Sequence, residues 1–331
     1  MKQTKSNMNA PIIFIHTGDS FYLKYTLKAA KLNNPDTEVI LLGDEHNRKY
    51  KKHGITHVNY KDFYFGEDLA EFNKNYKEIR GREFKWKPEI MKFVFEKWFV
   101  LYNYVTHQQT GPFWTFDTDV MILDNLEKYR SCFQNIDYTY QCHLYQPQGL
   151  INNSEMIKKF MQTVNEKFTD EEFLRQNRVE FETINPGYAL TIMRMFYELH
   201  KKGILTSTRV NKNLDNHIFD ECLFYDNEDR FEMTNFRNSR TIKKMSIAKG
   251  GGLYLKEKNG PLLRAVVLNL SWLPEDIFYT IYRHTLSKKN REGAIKEFDY
   301  NHIPASFKAC LLVRRLKNKI KKALIPGFKV P

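Results

Sequence analysis

Two aspartates, separated by one residue, interrupt a strongly apolar stretch of the chain. The stretch covers residues 113–123 and reads FWTFDTDVMIL. If it forms one strand, residues i and i+2 point to the same side, so the carboxylates of Asp117 and Asp119 converge. Two like charges in an apolar setting are costly unless a cation lies between them. The spacing therefore predicts a divalent metal held by hard oxygen ligands. The alternative is an aspartate that ends a strand or begins a turn.

The segments before this pair predict the sheet that would position it. Short apolar strands are predicted at Pro11–Ile15, Thr37–Leu42 and Ile55–Tyr60, and a helix is predicted at Asp19–Leu32 from its apolar spacing. Strand, helix and strand joined by short connections are typical of a parallel α/β sheet. Ligands of such sheets collect beyond the carboxyl ends of the strands, which is where we expect the aspartates to lie.

The remaining predicted elements have a less regular apolar pattern. Pro88 begins an apolar helix that runs to about Val105, because proline suits the first turn of a helix. Further helices are predicted at Met156–Phe168 and Tyr188–Lys202, and a late strand at Leu262–Leu270. These elements complete a Rossmann-like mixed sheet flanked by helices.

Composition indicates a folded protein of a reducing compartment. The chain has 331 residues with 42% hydrophobic and 15% aromatic content, which excludes a disordered chain. Its apolar runs are too short for a membrane span or for the core of a signal peptide, so we expect a cytoplasmic protein. The four cysteines have no Cys-x-x-Cys spacing and favour neither a zinc site nor a disulfide framework. They are Cys132, Cys142, Cys222 and Cys310.

The net charge of +13 is concentrated at the C-terminus, because no acidic residue follows Asp299. Residues 307–325 carry apolar side chains at Leu312, Leu316, Ile320 and Leu324 among lysines and arginines. This pattern predicts a basic amphipathic helix that binds an anionic membrane surface. The alternative is a helix packed on the domain, or a disordered tail. The mildly basic body excludes a uniformly basic nucleic-acid-binding domain, so no nucleic-acid partner is expected.

The chain resembles the GT-A nucleotide-sugar glycosyltransferases over residues 11 to about 275. Three segments carry the resemblance. The first is IIFIHTGD at 12–19, followed by a helix and VILLGD at 39–44. The second is the aromatic helix FEKWFVL at 95–101, which is similar to the helix before the metal motif in bacterial members. The third is FDTDV at 116–120, which matches the Asp-x-Asp motif of the family.

The resemblance implies a donor sugar on a nucleoside diphosphate and a bound Mn²⁺ or Mg²⁺. It implies that Asp119 is the more direct metal ligand and that Asp117 contacts the ribose or the metal. The loop after the first strand would hold the nucleoside, and three lysines are candidate phosphate contacts, Lys85, Lys87 and Lys97. The candidate donor-binding residues are His16, Thr17, Gly18, Asp19, Lys87, Lys97 and Asp117. The alternative for His16 is a histidine whose hydrogen bonds are satisfied at a strand end. The alternative for the lysines is that they are simply solvated.

Three further positions follow from the family pattern. Many members close the metal site with a histidine on a late strand, where this chain has Asn269. An amide oxygen is a weaker ligand than imidazole, so Asn269 is either a third metal ligand or a hydrogen-bonding residue at a strand end. His284 is a more remote substitute. On the acceptor side, Asp215 in the segment 214–220 is the candidate general base, with a helix N-cap as its alternative.

Together these features predict a GT-A domain over residues 1–300 and a basic tail over 301–331. Residues 11–125 would bind the nucleotide sugar and 126–300 the acceptor. The predicted function is metal-dependent transfer of a sugar, as a hexosyltransferase, to a glycan or glycolipid hydroxyl in cell-surface polysaccharide or lipopolysaccharide synthesis. The predicted location is cytoplasmic, on the inner face of the membrane. A haloacid dehalogenase-like phosphatase, or a non-catalytic membrane- or nucleic-acid-binding protein, is the alternative.

Overall fold

The computed structural model describes residues 9–142, 144–226, 229–237, 240–248, 252–286, 295–309 and 311–314. The strands in these residues are β1 (Ile12–His16), β2 (Val39–Gly43), β3 (Thr56–Asn59), β4 (Phe113–Thr115), β5 (Val120–Ile122), β6 (Tyr138–Gln141), β7 (Gln146–Ile151), β8 (Ser207–Arg209), β9 (His217–Phe219), β10 (Met233–Phe236), β11 (Arg240–Lys243), β12 (Met245–Ala248), β13 (Leu253–Lys256), β14 (Leu262–Asn269) and β15 (Ile295–Glu297). The α-helices are α1 (Leu23–Asn33), α2 (Glu67–Asn75), α3 (Pro88–His107), α4 (Glu155–Thr169), α5 (Glu171–Val179), α6 (Ile192–Lys201) and α7 (Glu275–Leu286).

The main sheet is mixed and has the strand order β3-β2-β1-β4-β7-β6-β8. Strands β1 to β4 run parallel where they pair, whereas β7 is antiparallel to both β4 and β6. The first three strands and helices α1, α3, α4 and α6 all lie where the sequence predicts them, with ends that differ by a few residues. The predicted α/β class with a mixed sheet is therefore confirmed.

Aromatic side chains fill the layer between this sheet and its helices. Trp98 of α3 packs edge-on against Phe160 of α4 and Phe196 of α6, with ring centroids 5.7 and 5.0 Å apart. All three are buried, and truncating one such side chain to alanine costs about 3–5 kcal/mol of stability. This packing fixes α3 against the sheet and so fixes the direction of Lys97, the residue before Trp98.

The predicted single strand at 113–123 is wrong. Strand β4 ends at Thr115 in the main sheet, and β5 begins at Val120 in a second sheet. Residues 116–119 form a turn between them, closed by a 3.0 Å hydrogen bond from the Val120 amide to the Asp117 carbonyl. The predicted strand is interrupted here because its two halves pair with different strands. Strand β4 pairs with β1 and β7, whereas β5 pairs with β14.

The second sheet contains β15, β12, β13, β14 and β5 in that order, and β9 pairs with β14. Strand β14 is the predicted late strand, and its antiparallel register with β5 sets Asn269 opposite Val120. The end of β14 is therefore held beside the turn that carries the two aspartates.

The beginning of the C-terminal segment packs on the domain. Residues 305–309 and 311–314 are helical, and buried Phe307 contacts the rings of Phe21 and Tyr279. Leu312 is exposed, while Leu316, Ile320 and Leu324 of the predicted amphipathic helix lie outside the described residues. None of the helices in the described ranges is long and apolar enough to cross a membrane.

Candidate active site

The turn at residues 116–119, which we call the aspartate turn, lies beyond the carboxyl ends of β1 and β4. These two strands pair in parallel, so His16 at the end of β1 comes to the same edge as the turn. The elements that converge here are the loop after β1, α3, the hairpin of β6 and β7, and the end of β14. This is the ligand-binding edge of an open α/β sheet.

Both carboxylate oxygens of Asp117 are bonded to protein groups. Oδ1 accepts a 2.7 Å hydrogen bond from the ammonium of Lys97, which also forms an ion pair with it. Oδ2 accepts 2.7 Å bonds from the side-chain amides of Gln146 and Gln148. The Asp117 amide in turn donates to Oε1 of Gln148 at 3.1 Å. Asp117 is therefore a neutralised, closely held anion.

Asp119 has a different environment. Its Oδ2 accepts a 2.8 Å bond from the Ser271 hydroxyl, but its Oδ1 is buried and has no partner. Burial, with the nearby charge of Asp117, raises the pKa of Asp119 to about 6. A carboxylate with one unbonded buried oxygen is the arrangement that a bound cation would satisfy.

His16 connects the first strand to the aspartate turn. Its Nδ1 lies 2.9 Å from Oγ1 of Thr118, and its Nε2 is buried without a partner. Burial lowers the pKa of His16 to about 4, so the imidazole is neutral at physiological pH. The Tyr22 hydroxyl approaches Thr118 Oγ1 at 3.5 Å, and its ring stacks on Phe278. Two unbonded buried polar atoms thus belong to residues that adjoin Thr118: His16, which contacts its side chain, and Asp119, which follows it in the chain.

Asn269 lies at the cluster, as the sequence predicts, and both ends of its side-chain amide have partners. Its Nδ2 donates to Gln141 at 3.0 Å, and its Oδ1 accepts from the Ser271 backbone amide at 2.9 Å. The Ser271 hydroxyl also lies 2.6 Å from Asn269 Oδ1, so its single hydrogen is shared between Asn269 and Asp119. These contacts fit the alternative of a hydrogen-bonding residue at a strand end. Ser271 in turn contacts Asp119, so Asn269 acts on the aspartate through the serine.

The rest of the loop after β1 lies at the same edge. Gly18, whose φ of 84° suits glycine, donates its amide to Asp44 at 2.6 Å. Asp19 forms an ion pair with Lys49, and Thr17 is half-buried. These contacts hold the loop in one conformation next to His16.

Two predicted residues lie away from the cluster. Lys87 is exposed at the N-terminal end of α3. Asp215 is exposed in a two-residue turn with positive φ at Asp215 and Asn216, at the end of β14 opposite to Asn269. In the predicted segment 214–220 it is Asp220 that approaches the cluster. Its carboxylate forms an ion pair with Lys243 at 2.7 Å and accepts a hydrogen bond from the backbone amide of Asn269.

Sequence reasoning missed Gln146, Gln148, Ser271 and Tyr22. The two glutamines are buried and stand at i and i+2 of β7, so both amides reach the same carboxylate. Gln-Pro-Gln before an apolar run was the available signal, because a buried amide needs a partner. Ser271 and Tyr22 carry no local signal of their own.

The cluster fits a cation that is only partly coordinated by the protein. Among the residues that the structure describes, no group of three His, Cys, Asp or Glu side chains could hold a metal ion. The free oxygen of Asp119 is an available hard ligand, whereas the side-chain oxygens of Asp117 and Asn269 are already bonded. A metal here needs further oxygens from the molecule it helps to bind.

No family model matches the chain, and no curated protein matches it. Three solved structures are similar in fold. PaToxG glycosyltransferase has a TM-score of 0.37 at 11% identity, covering 60% of this chain and 70% of the other. Mouse xyloside xylosyltransferase 1 has a TM-score of 0.36 at 9% identity, covering 64% and 85%. An active-site mutant of LgtC has a TM-score of 0.30 at 16% identity, covering 61% and 72%.

The first two of these proteins are named as glycosyltransferases. Since every TM-score is below 0.5, these similarities assign no activity to this chain.

Proposed function

We propose that the protein is a metal-dependent glycosyltransferase that uses a nucleoside diphosphate sugar as donor. The observation that carries the proposal is the pair of unbonded buried atoms, Asp119 Oδ1 and His16 Nε2, on the two residues that adjoin Thr118, one in the chain and one through a side-chain contact. An unbonded buried polar group is costly unless a ligand satisfies it. One atom is an anionic oxygen and the other belongs to a neutral imidazole, so the ligand carries both a cation and a hydrogen-bonding group.

The charges of the site suit the departure of a diphosphate. Asp119 would hold Mn²⁺ or Mg²⁺, with Asp117 and Asn269 nearby. When bound, the cation supplies positive charge that stabilises the leaving diphosphate. Lys97 lies at the same edge with its ammonium already inside the site and would contribute a second positive charge. Its side chain is only 14% exposed, so water screens this charge weakly.

The loop after β1 would bind the nucleoside. His16 is held by Thr118, which leaves its Nε2 to meet a ribose or base. Thr17, Gly18 and Asp19 follow on the surface of the same loop. Because Lys87 is exposed and lies far along α3 from Lys97, it would contact the donor only at the periphery of the site.

The acceptor would be a hydroxyl of a glycan or glycolipid, and the transferred group a hexose. Asp215 remains the candidate general base. It would have to move closer to the aspartate turn than its exposed position allows. The basic segment 307–325 would place the enzyme on the inner face of the cytoplasmic membrane, where lipid-linked precursors of surface polysaccharides are built. The positive charge of this segment supports that placement.

The contacts of Asp117 argue against the phosphatase alternative. A haloacid dehalogenase-like mechanism needs the first aspartate as a free nucleophile. Here Lys97, Gln146 and Gln148 occupy both of its oxygens. A binding protein without catalysis would leave the unbonded oxygen of Asp119 unexplained.

The proposal is tested by screening uridine, guanosine and cytidine diphosphate sugars with Mn²⁺. Thermal shift would measure binding, and release of the nucleoside diphosphate would measure turnover. We expect one nucleotide class to raise the melting temperature in the presence of Mn²⁺ and to be hydrolysed slowly. No shift and no hydrolysis with any donor would refute the proposed function.

A further inference from the structure

The two aspartates of the turn differ in what they have left to offer a ligand. Asp117 accepts three side-chain hydrogen bonds, one from Lys97 and two from glutamines of β7. Asp119 accepts one, from Ser271, and keeps an unbonded buried oxygen. A shared role as a symmetrical metal clamp does not account for this difference.

We propose that Asp117 is a positioning residue and that Asp119 alone gives its carboxylate to the cation. On this view Asp117 holds Lys97, Gln146 and Gln148 in place at the donor's diphosphate. The inference rests on the proposed function, because it assigns the roles of the residues within the same site.

Recruiting Asp117 to a metal would break its hydrogen bonds to buried side chains. Gln146 and Gln148 are 6% and 3% exposed, so water has little access to replace Asp117 as the acceptor of their amides. A cation that displaced these bonds would leave two buried donors without partners. Asp119 meets no such obstacle, because its Oδ1 is free.

The side-chain amide of Gln148 is oriented by two contacts with Asp117. Its Oε1 accepts the amide of Asp117 at 3.1 Å while its Nε2 donates to Oδ2 of the same residue at 2.7 Å. The side-chain amide thus closes a ring with both the backbone and the carboxylate of Asp117. This double contact fixes which end of the amide faces the carboxylate, and it gives the turn a rigid side.

The ion pair with Lys97 also leaves the charges of Asp117 and Asp119 unequal. Lys97 neutralises Asp117 at 2.7 Å, so the negative charge left in the turn belongs to Asp119. A cation bound at Asp119 therefore leaves Lys97 paired and correctly placed. Its ammonium has three hydrogens, and those not given to Asp117 are available to phosphate oxygens.

A charge relocation separates a positioning role from a metal-binding role. Asp117→Asn sets an amide donor against the donors of Gln146 and Gln148. Adding Gln148→Glu restores an acceptor beside the substituted side chain and returns the lost negative charge one strand away. Asp119→Asn, alone and combined with Gln148→Glu, is the matched control.

The readout is binding rather than turnover. Mn²⁺ binding is followed by electron paramagnetic resonance, and binding of UDP, GDP and CDP by calorimetry with and without Mn²⁺. We expect Asp119→Asn to weaken Mn²⁺ binding with the nucleotide by at least about tenfold, whether or not Gln148→Glu is present. We expect Asp117→Asn to weaken nucleotide binding by a similar factor with and without Mn²⁺, and the double variant to recover most of the loss.

Several outcomes would overturn the inference. Equal loss of Mn²⁺ affinity in Asp117→Asn and Asp119→Asn, with no recovery by Gln148→Glu, would make Asp117 a metal ligand. If Asp117→Asn does not fold, Lys97→Gln gives an independent test. It should weaken nucleotide binding both with and without Mn²⁺, and unchanged nucleotide affinity would refute the positioning role. A wild-type protein that binds none of the three nucleotides would instead overturn the proposed function, and the inference with it.

Discussion

His16 and Thr118 are joined by a contact of 2.9 Å between the imidazole Nδ1 and the threonine Oγ1. It links the end of the first strand to the residue between the two aspartates. Because Thr118 fixes one side of the ring, the other nitrogen is directed at a constant position. The loop after β1 and the aspartate turn therefore form one site rather than two neighbouring ones.

The buried imidazole predicts a loss of stability in acid. The folded protein keeps His16 neutral down to a pKa of about 4, whereas the unfolded chain protonates it near a pKa of about 6.5. As the pH falls from 6.5 to 4, His16 is protonated in the unfolded state but stays largely neutral in the folded state. This costs up to about 3 kcal/mol of stability.

The measurement is urea unfolding at intervals from pH 7 to pH 4, for wild type and His16→Asn. The raised pKa of Asp119 acts in the opposite sense, since the folded state gains a proton below about pH 6, but this effect is common to both proteins. Wild type should therefore lose more stability over this range than the variant. Parallel curves would show that His16 is protonated in the fold.

Loss of the Asp119 carboxylate should abolish transfer. Asp119→Ala removes the only carboxylate oxygen of the turn that is both buried and unbonded, and at saturating Mn²⁺ we expect a fall of about 10²–10³ in kcat. Ser271→Ala is the informative companion. It removes one hydrogen bond but leaves the carboxylate, so its effect should be about tenfold, at the low end of the range for loss of a contact that orients a metal ligand. Most activity retained in Asp119→Ala would refute the assignment.

The outcome for individual residues shows what the sequence could and could not predict. Strands β1 to β3 and helix α3 were predictable because their apolar spacing is local. The turn at residues 116–119 was not predictable, because it depends on pairing with strands distant in the sequence. Residues before the turn pair with β1 and β7, and residues after it pair with β14. Asn269 was predicted near the aspartates from the family pattern, and the register of β14 sets it there.

The partners of the aspartates lay beyond sequence reasoning for a similar physical reason. Gln146 and Gln148 are ordinary residues of a short strand, and only tertiary packing brings their amides to Asp117. Lys97 could be proposed as a phosphate contact, but a lysine on a helix is usually solvated. Its burial follows from the packing of its neighbour Trp98 into the aromatic layer.

Gly149 on β7 predicts a test of how firmly the glutamines are held. Its φ is 107°, and an added Cβ would lie 2.4 Å from Oγ1 of Thr139. That hydroxyl bonds the carbonyl of Gln148 and the amide of Leu150, so it cannot move without loss. Gly149→Ala should lower the free energy of unfolding by about 2–4 kcal/mol.

Urea denaturation measures this change, and Gly111→Ala is the matched control. An added Cβ at Gly111 meets nothing within 4 Å, so its stability should change by less than about 1 kcal/mol. If both substitutions are equally tolerated, the strand near Gln148 is more adaptable than its contacts indicate, and the rigid positioning of Asp117 would be doubtful.

The basic C-terminal segment predicts binding to anionic vesicles. Each lysine near a charged surface contributes about 1 kcal/mol, so removing four charges should lower the partition coefficient by about 10²–10³. The proposed substitutions to glutamine are at Lys317, Lys319, Lys321 and Lys322. The control substitutes four exposed lysines elsewhere, Lys61, Lys74, Lys212 and Lys296. Sedimentation with phosphatidylglycerol and with pure phosphatidylcholine vesicles would measure both. Equal losses in the two variants would mean that net charge alone matters, and no binding by wild type would remove the membrane from the proposed function.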